Sequence, residues 1–342
     1  KSAPSAIFTL VLAACLLIGC GSGSDVPLDN YLTRLGRSLD RTIEPSGKRL
    51  PPLPRARDLK LDLQSDTIGL WDLLALRGCE LSITIGRINS SLGKLAQDSQ
   101  RLLLELEFLS LAPACIGSLD PANEKNLITS LQRAVDEKRR KLPARIWNAT
   151  LGGEDFRAFW KRPSHLRNYP ANTGGEVLTA LARLTELSTL WLDGDYRAGS
   201  QELENLLDEV RRGDGGALLA SLDLQRSGLA GAASAIQDRL EPAPICLGKT
   251  PSPEGRIVDT VVRKFFIGEV QPWSVQIARR RTNLMSSVLA LEFSLAEVVP
   301  PAYRKWSSLR NQLLASAVEA PREHARNLAA LLETCGLRPG VD

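Results

Sequence analysis

A chain of 342 residues with a formal charge of only +4 is long enough for one or two globular bodies and too nearly neutral to carry a nucleic-acid footprint. Aromatic residues make up only 5% of it, Leu and Ala abound, and β-branched runs are scarce. That composition argues against a sheet-built fold and predicts an all-α one.

In chain order, the first feature is an uncharged run from Ala6 to Ile18, whose end merges into Leu17-Ile18-Gly19-Cys20. The run is shorter than the roughly 20 apolar residues that a membrane-spanning helix needs, so it reads as the h-region of a signal peptide. The tetrapeptide fits a bacterial lipobox, in which Cys20 becomes a diacylated N-terminus. More than one acyl chain gives stable anchoring where a single chain binds marginally. No Asp follows Cys20, so the expected site is the periplasmic face of the outer membrane, with Gly21 to Ser24 as a short flexible tether.

Asp29 to Asp40 is expected to form an amphipathic helix with Tyr31, Leu32, Leu35 and Leu39 on one face. Pro45, Pro51, Pro52 and Pro54 then forbid regular structure over 41–57 and predict an extended segment laid over the body. Helical signals dominate from Asp66, where Leu70, Trp71, Leu74 and Ala75 make the stripe of the first core helix. Further helices are predicted over 80–93 and 97–112, and one capped by Asp120 with Pro121 at its first position. Thr173 to Glu176 reads as a capping box opening another helix. Helices should follow over 200–212, 216–240, 255–268, 273–298, 302–316 and 320–334, the last two separated by Pro321. Short connections make neighbours antiparallel. The expected organisation is a signal at 1–19, a lipidated tether at 20–28, an N-terminal helix with the Pro-rich segment at 29–65, and helical subdomains at 66–150 and 175–342. A connecting region at 151–174, rich in Gly, Pro and aromatics, lies between the subdomains.

Four cysteines remain once Cys15 leaves with the signal and Cys20 is lipidated. An even number in an oxidising compartment predicts two disulfides. The legs 80–93 and 97–112 each run roughly 20–25 Å, so a hairpin of equal legs returns Cys115 beside Cys79. By elimination Cys246 pairs with Cys335. The absence of a C-x₂-C spacing argues against a zinc site, and neither a metal nor another cofactor is expected.

Candidate chemistry is sparse. Ser91-Leu92-Gly93-Lys94 has the S-x-x-K spacing of a serine nucleophile with a lysine base, but its usual companion K-T-G is missing because Pro251 follows Lys249-Thr250. Of the two histidines, His324 sits among Arg322, Glu323 and Arg326 and reads as a solvated residue; His165, in the aromatic loop, is the better candidate. The basic run Lys138 to Lys141 reads as a helix C-terminus interacting with its own dipole, and Asp193-Gly194-Asp195 as a plain turn. Phe156, Phe159 and Trp160, followed by Lys161-Arg162-Pro163, form the densest aromatic cluster. They either fill the gap between helical layers or, with His165, form a binding surface.

The segments Ile68 to Leu74, Gly78 to Leu81, Arg87 to Lys94 and Gln100 to Leu102, with the lipobox and Asp29 to Leu32, resemble an uncharacterised lipoprotein family of gamma-proteobacteria, domain-of-unknown-function family 3080. The resemblance spans nearly all of the mature chain and transfers no catalytic residue. It implies that Arg87, Asn89, Ser90, Ser91 and Gly93 form a family signature, with chemistry that suits a polar hairpin turn as well as a ligand site. The expected function is therefore a lipid-anchored binding or adaptor protein of the envelope, its partners the membrane and an envelope protein. The alternatives are an envelope hydrolase using Ser91 and Lys94 or His165, and a carrier of a small apolar ligand.

Overall fold

The computed structural model describes residues 26–63, 76, 78–240, 244–246 and 248–338. The lipobox, Cys20 and the stripe of Leu70, Trp71, Leu74 and Ala75 lie outside the described residues. Within them the chain is helical, with no strand.

Helix α1 (Pro27–Ser38) starts with Pro at its first turn, where no N–H is needed. Leu28, Tyr31, Leu32 and Leu35 face inward, at the expected period. A short helix α2 (Ala56–Leu59) follows the Pro-rich segment. The predicted 80–93 helix is two pieces, α3 (Leu81–Asn89) and α4 (Ser91–Leu95), because Ser90 adopts extended backbone and caps the second. The return leg is α5 (Asp98–Ser118). Disulfides join Cys79 to Cys115 and Cys246 to Cys335.

Helix α6 (Lys125–Ala149) begins four residues later than Asp120-Pro121 suggested. The Asp120 carboxylate is taken up in a local turn, accepting from the Ala122 N–H at 2.9 Å and from the Asn123 amide. Because α6 runs on to Ala149, the basic run Lys138 to Lys141 lies inside it rather than at its end. Lys138 is buried near Glu105, which Arg145 also holds at 2.8 Å; Arg140 and Lys141 pair with Glu137.

After α7 (Glu154–Phe159) comes α8 (Glu176–Leu192), which buries Val177, Leu181, Leu184 and Trp191 as expected. The capping box is not formed: Gly175 is the N-cap, and the Thr173 hydroxyl donates instead to Pro170 O at 2.9 Å. Asp193 to Asp195 is a turn, with Gly194 at φ 100°. Helices α9 (Leu203–Arg211) and α10 (Gly215–Leu240) follow.

The break expected between 268 and 273 and the one expected at Pro321 are both absent. Helix α11 (Pro253–Val261) runs through a π-helical stretch, Val262–Val270, directly into α12 (Gln271–Ser294), with Pro272 in its first turn. The wider π turns come just where a regular α-helix would bring the proline ring against the carbonyl four residues earlier. Helix α13 (Pro301–Glu333) continues through Pro321. Pro321 has no N–H to offer Ala317 O, and Gln225 of α10 donates its side-chain amide there instead, at 2.6 Å. That replacement keeps a buried carbonyl satisfied.

Helix α10 lies along α13, α8 along α12, and α1 against α10 and the π-helical stretch. The buried apolar side chains, including Phe156, Phe159, Trp160 and Tyr169 of the 151–174 region, form one continuous cluster. The Pro-rich segment crosses this body as an extended strap. Body side chains grip its carbonyls: Arg226 at Lys48 O, Arg162 at Leu50 O, Trp306 at Pro51 O and Arg157 at Pro54 O, and Trp147 holds Leu59 O at the end of α2. A Cβ at Gly231 would stand 2.0 Å from Glu44 O, so a glycine there lets the strap lie directly on α10.

Candidate functional site

The strap covers a cleft built by two tryptophans and one buried ion pair. Helix α7 ends on Trp160, whose ring meets Phe159 edge to face at 4.6 Å and Trp306 at 5.3 Å between centroids. Edge-to-face packing is the favoured aromatic arrangement. One turn beyond Trp306, Arg310 is 0% exposed and forks onto Glu292 of α12, at 2.6 and 2.9 Å. The guanidinium carbon stands 5.3 Å from both the Trp160 and the Trp306 ring centroids. Tyr303 also donates to Glu292, and burial together with that carboxylate pushes the Tyr303 pKa up, so the phenol stays protonated. Burial acts to lower the Arg310 pKa, but Glu292 and Tyr303 outweigh it and the net shift is upward. The pair thus fixes α12, α13 and both indoles as one rigid wall.

The cleft encloses 480 Å³ between this wall and the strap. Its apolar surface comes from Leu50, Pro51, Pro52 and Leu53 on one side and from Trp160, Trp306 and Leu219 on the other. The charged lining residues are Arg157, Lys161 and Arg162, and none is acidic. Arg162 leans toward Asp223 at 3.3 Å, but Arg226 shares that carboxylate, so positive charge remains in excess. Among the described residues, the buried Trp160 indole N–H has no acceptor.

Two further buried polar clusters stabilise the helices. Asp214 receives Arg280 at 2.9 Å and the Tyr169 hydroxyl at 2.8 Å, tying the 151–174 region to α12. Burial, then the Asp214 charge, raises the Tyr169 pKa. In the other, His324 is 1% exposed, its Nε2 2.6 Å from the Tyr31 hydroxyl and its ring edge-on to Phe266 of the π-helical stretch. This corrects the reading of His324 as solvated. Its helical companions Ala317, Ala320, Leu328 and Leu331 are all buried, and that apolar period was present in the sequence. Burial pushes its pKa down to about 3.

Of the other residues singled out by sequence, Phe156 and Phe159 are fully buried and Trp160 nearly so, so the aromatic cluster is core whose edge touches the cleft. His165 is exposed in the loop beyond it. Arg87, Ser90 and Gly93 meet at the hairpin turn. Arg87 pairs with Glu107 at 2.8 Å, Ser90 accepts from Gly93 N at 3.0 Å, and a Cβ at Gly93 would stand 2.1 Å from Arg87 O. Asn89 lies at the end of α3 beside them. Ser91 and Lys94 are exposed on α4, at the tip of the hairpin. Sequence reasoning missed Trp306, Arg310 and Glu292, although the spacing of Trp306 and Arg310 on one helical face was available. Among the described residues, no group of His, Cys, Asp or Glu could hold a metal, and no helix is long and apolar enough to cross a membrane.

A family model described as a protein of unknown function, DUF3080, matches residues 28–339. The chain belongs to the DUF3080 family. The match takes in the strap, both disulfides and every residue of the cleft, so the cleft is part of the DUF3080 region itself. No curated protein and no solved structure matches the chain.

Proposed function

We propose that this DUF3080 protein is a lipid-anchored binding protein of the bacterial envelope, tethered through Cys20 at the periplasmic face of the outer membrane. The observation that carries the binding role is the strapped cleft: 480 Å³ of mainly apolar, aromatic-walled space held open by a buried ion pair. Ligand pockets of this kind are concave, apolar and largely pre-formed, typically about 300–1,000 Å³. The lipobox and two disulfides support the compartment. The hydrolase alternative has less support, because Ser91 and Lys94 stand exposed at a hairpin tip.

The test is an in-cell crosslinking pulldown of the lipidated chain beside a Cys20→Ser version, read by mass spectrometry for proteins and small molecules. Acyl label on the wild-type chain alone, with a ligand or partner enriched over control, is the expected result. Equal fractionation of both forms removes the anchor, and no enrichment in either removes the binding role. A Ser91→Ala variant that abolishes the deletion-complementing phenotype while folding normally would instead favour the hydrolase.

A further inference from the structure

Resting on the binding role above, we infer that the occupant of the strapped cleft is an anionic amphiphile: an aliphatic or similarly apolar body ending in a carboxylate or phosphate group.

The body is recognised by shape and burial. Leu50 and Leu53 of the strap face a wall of Trp306, Trp160 and Leu219, and apolar groups removed from water between them gain about 25 cal/mol per Å² of surface. The head is recognised by charge. Arg157, Lys161 and Arg162 line the cleft with no acidic residue among its lining, and such a one-signed opening with low-dielectric walls focuses the field on an incoming anion. The three cations are not equivalent. Arg157 spends one N–H on Pro54 O and Arg162 is drawn toward Asp223 and Leu50 O, so both help to hold the strap. Lys161 is exposed and is the cation best placed to meet the head group. A cationic amphiphile would meet a net positive lining in which only Arg162 is offset, by Asp223, and a purely apolar molecule would make no use of that charge.

The experiment is calorimetric titration of the Cys20→Ser chain with decanoate, decyl phosphate and decyltrimethylammonium, each below its micellar concentration. Both anions should bind, and the cation should bind at least about tenfold more weakly, a difference of ~1.4 kcal/mol. Lys161→Glu, at an exposed position, should weaken both anions and narrow that gap. Ala158→Leu, which adds bulk to the lining, should weaken every probe. Preference for decyl phosphate over decanoate would point to a phospholipid-derived head, and the reverse to a fatty acid; either supports the proposal. Equal binding of anions and cation, or anion binding untouched by Lys161→Glu, overturns the anionic class while leaving the cleft a binding site. Anion binding unaffected by Ala158→Leu, in a variant that unfolds like wild type, removes the cleft as its location. No binding of any probe overturns the proposal, and the pulldown then decides the broader role by itself.

Discussion

The strap and helix α13 both contain proline, and they respond to it in opposite ways. The strap holds Pro45, Pro51, Pro52 and Pro54 within ten residues and has no regular structure. Helix α13 holds Pro321 in its interior and stays helical from Pro301 to Glu333. The difference is how many consecutive hydrogen bonds are lost and who replaces them. One interior proline frees one carbonyl, and Gln225 reaches it from the adjacent helix. Clustered prolines remove the helix altogether, and each freed carbonyl must find its own donor, here Arg226, Arg162, Trp306 and Arg157. Side-chain donors from the body thus sustain a helix in one region and an extended chain in the other.

This comparison can be broken at several points. The largest effect is expected at Arg310, which supports the tryptophans beneath the strap and belongs to α13 itself. Arg310→Met leaves the largely buried Glu292 with the Tyr303 hydroxyl but no cation, and should cost about 3–5 kcal/mol in urea unfolding. A loss under 1 kcal/mol would show that the ion pair does not organise the wall. Gln225→Leu leaves Ala317 O unsatisfied inside the protein and should cost about 1–3 kcal/mol. An unchanged midpoint would mean that Pro321 needs no replacement donor.

Acid should separate the two regions. His324 titrates near 6.5 when unfolded and at about 3 in the folded chain, so between those values the unfolded state binds the extra proton. Stability from this group is therefore complete above pH 6.5 and falls as pH is lowered toward 3, by up to about 1.4 kcal/mol per unit. His324→Gln should flatten that slope, measured as urea midpoints at pH 7 and pH 5, whereas Trp306→Phe at the strap should leave it unchanged. The smallest effect is at Trp306→Phe. Losing the bond to Pro51 O should cost about 0.5–1.5 kcal/mol and speed protease cutting within 48–54; unchanged cutting would mean that the other grips suffice.

Much of the helical framework was legible because it is written locally. The stripe of Tyr31, Leu32 and Leu35 recurs with helical period, and the equal legs between Cys79 and Cys115 required nothing distant. The strap was legible as an extended segment, since four prolines leave no alternative. Its attachment was not, because the Trp306 donor lies 255 positions from Pro51. The same distance effect hid the continuity of α13, whose replacement donor is 92 residues away. His324 was misread because its charged sequence neighbours point to other faces of the helix. The candidate site was half visible: Trp160, Lys161 and Arg162 stood out as a cluster, but the indole and ion pair opposite them come from α12 and α13.

The bond between Cys246 and Cys335 closes a covalent ring around α11, α12 and α13. Gly255 packs against the bridge, where any Cβ would stand 2.7 Å from both sulfurs. A single proteolytic nick anywhere inside that ring leaves two fragments still joined. Nicked molecules would keep their full mass on a non-reducing gel and separate only under reduction, so the protein can lose chain continuity there without shedding a piece.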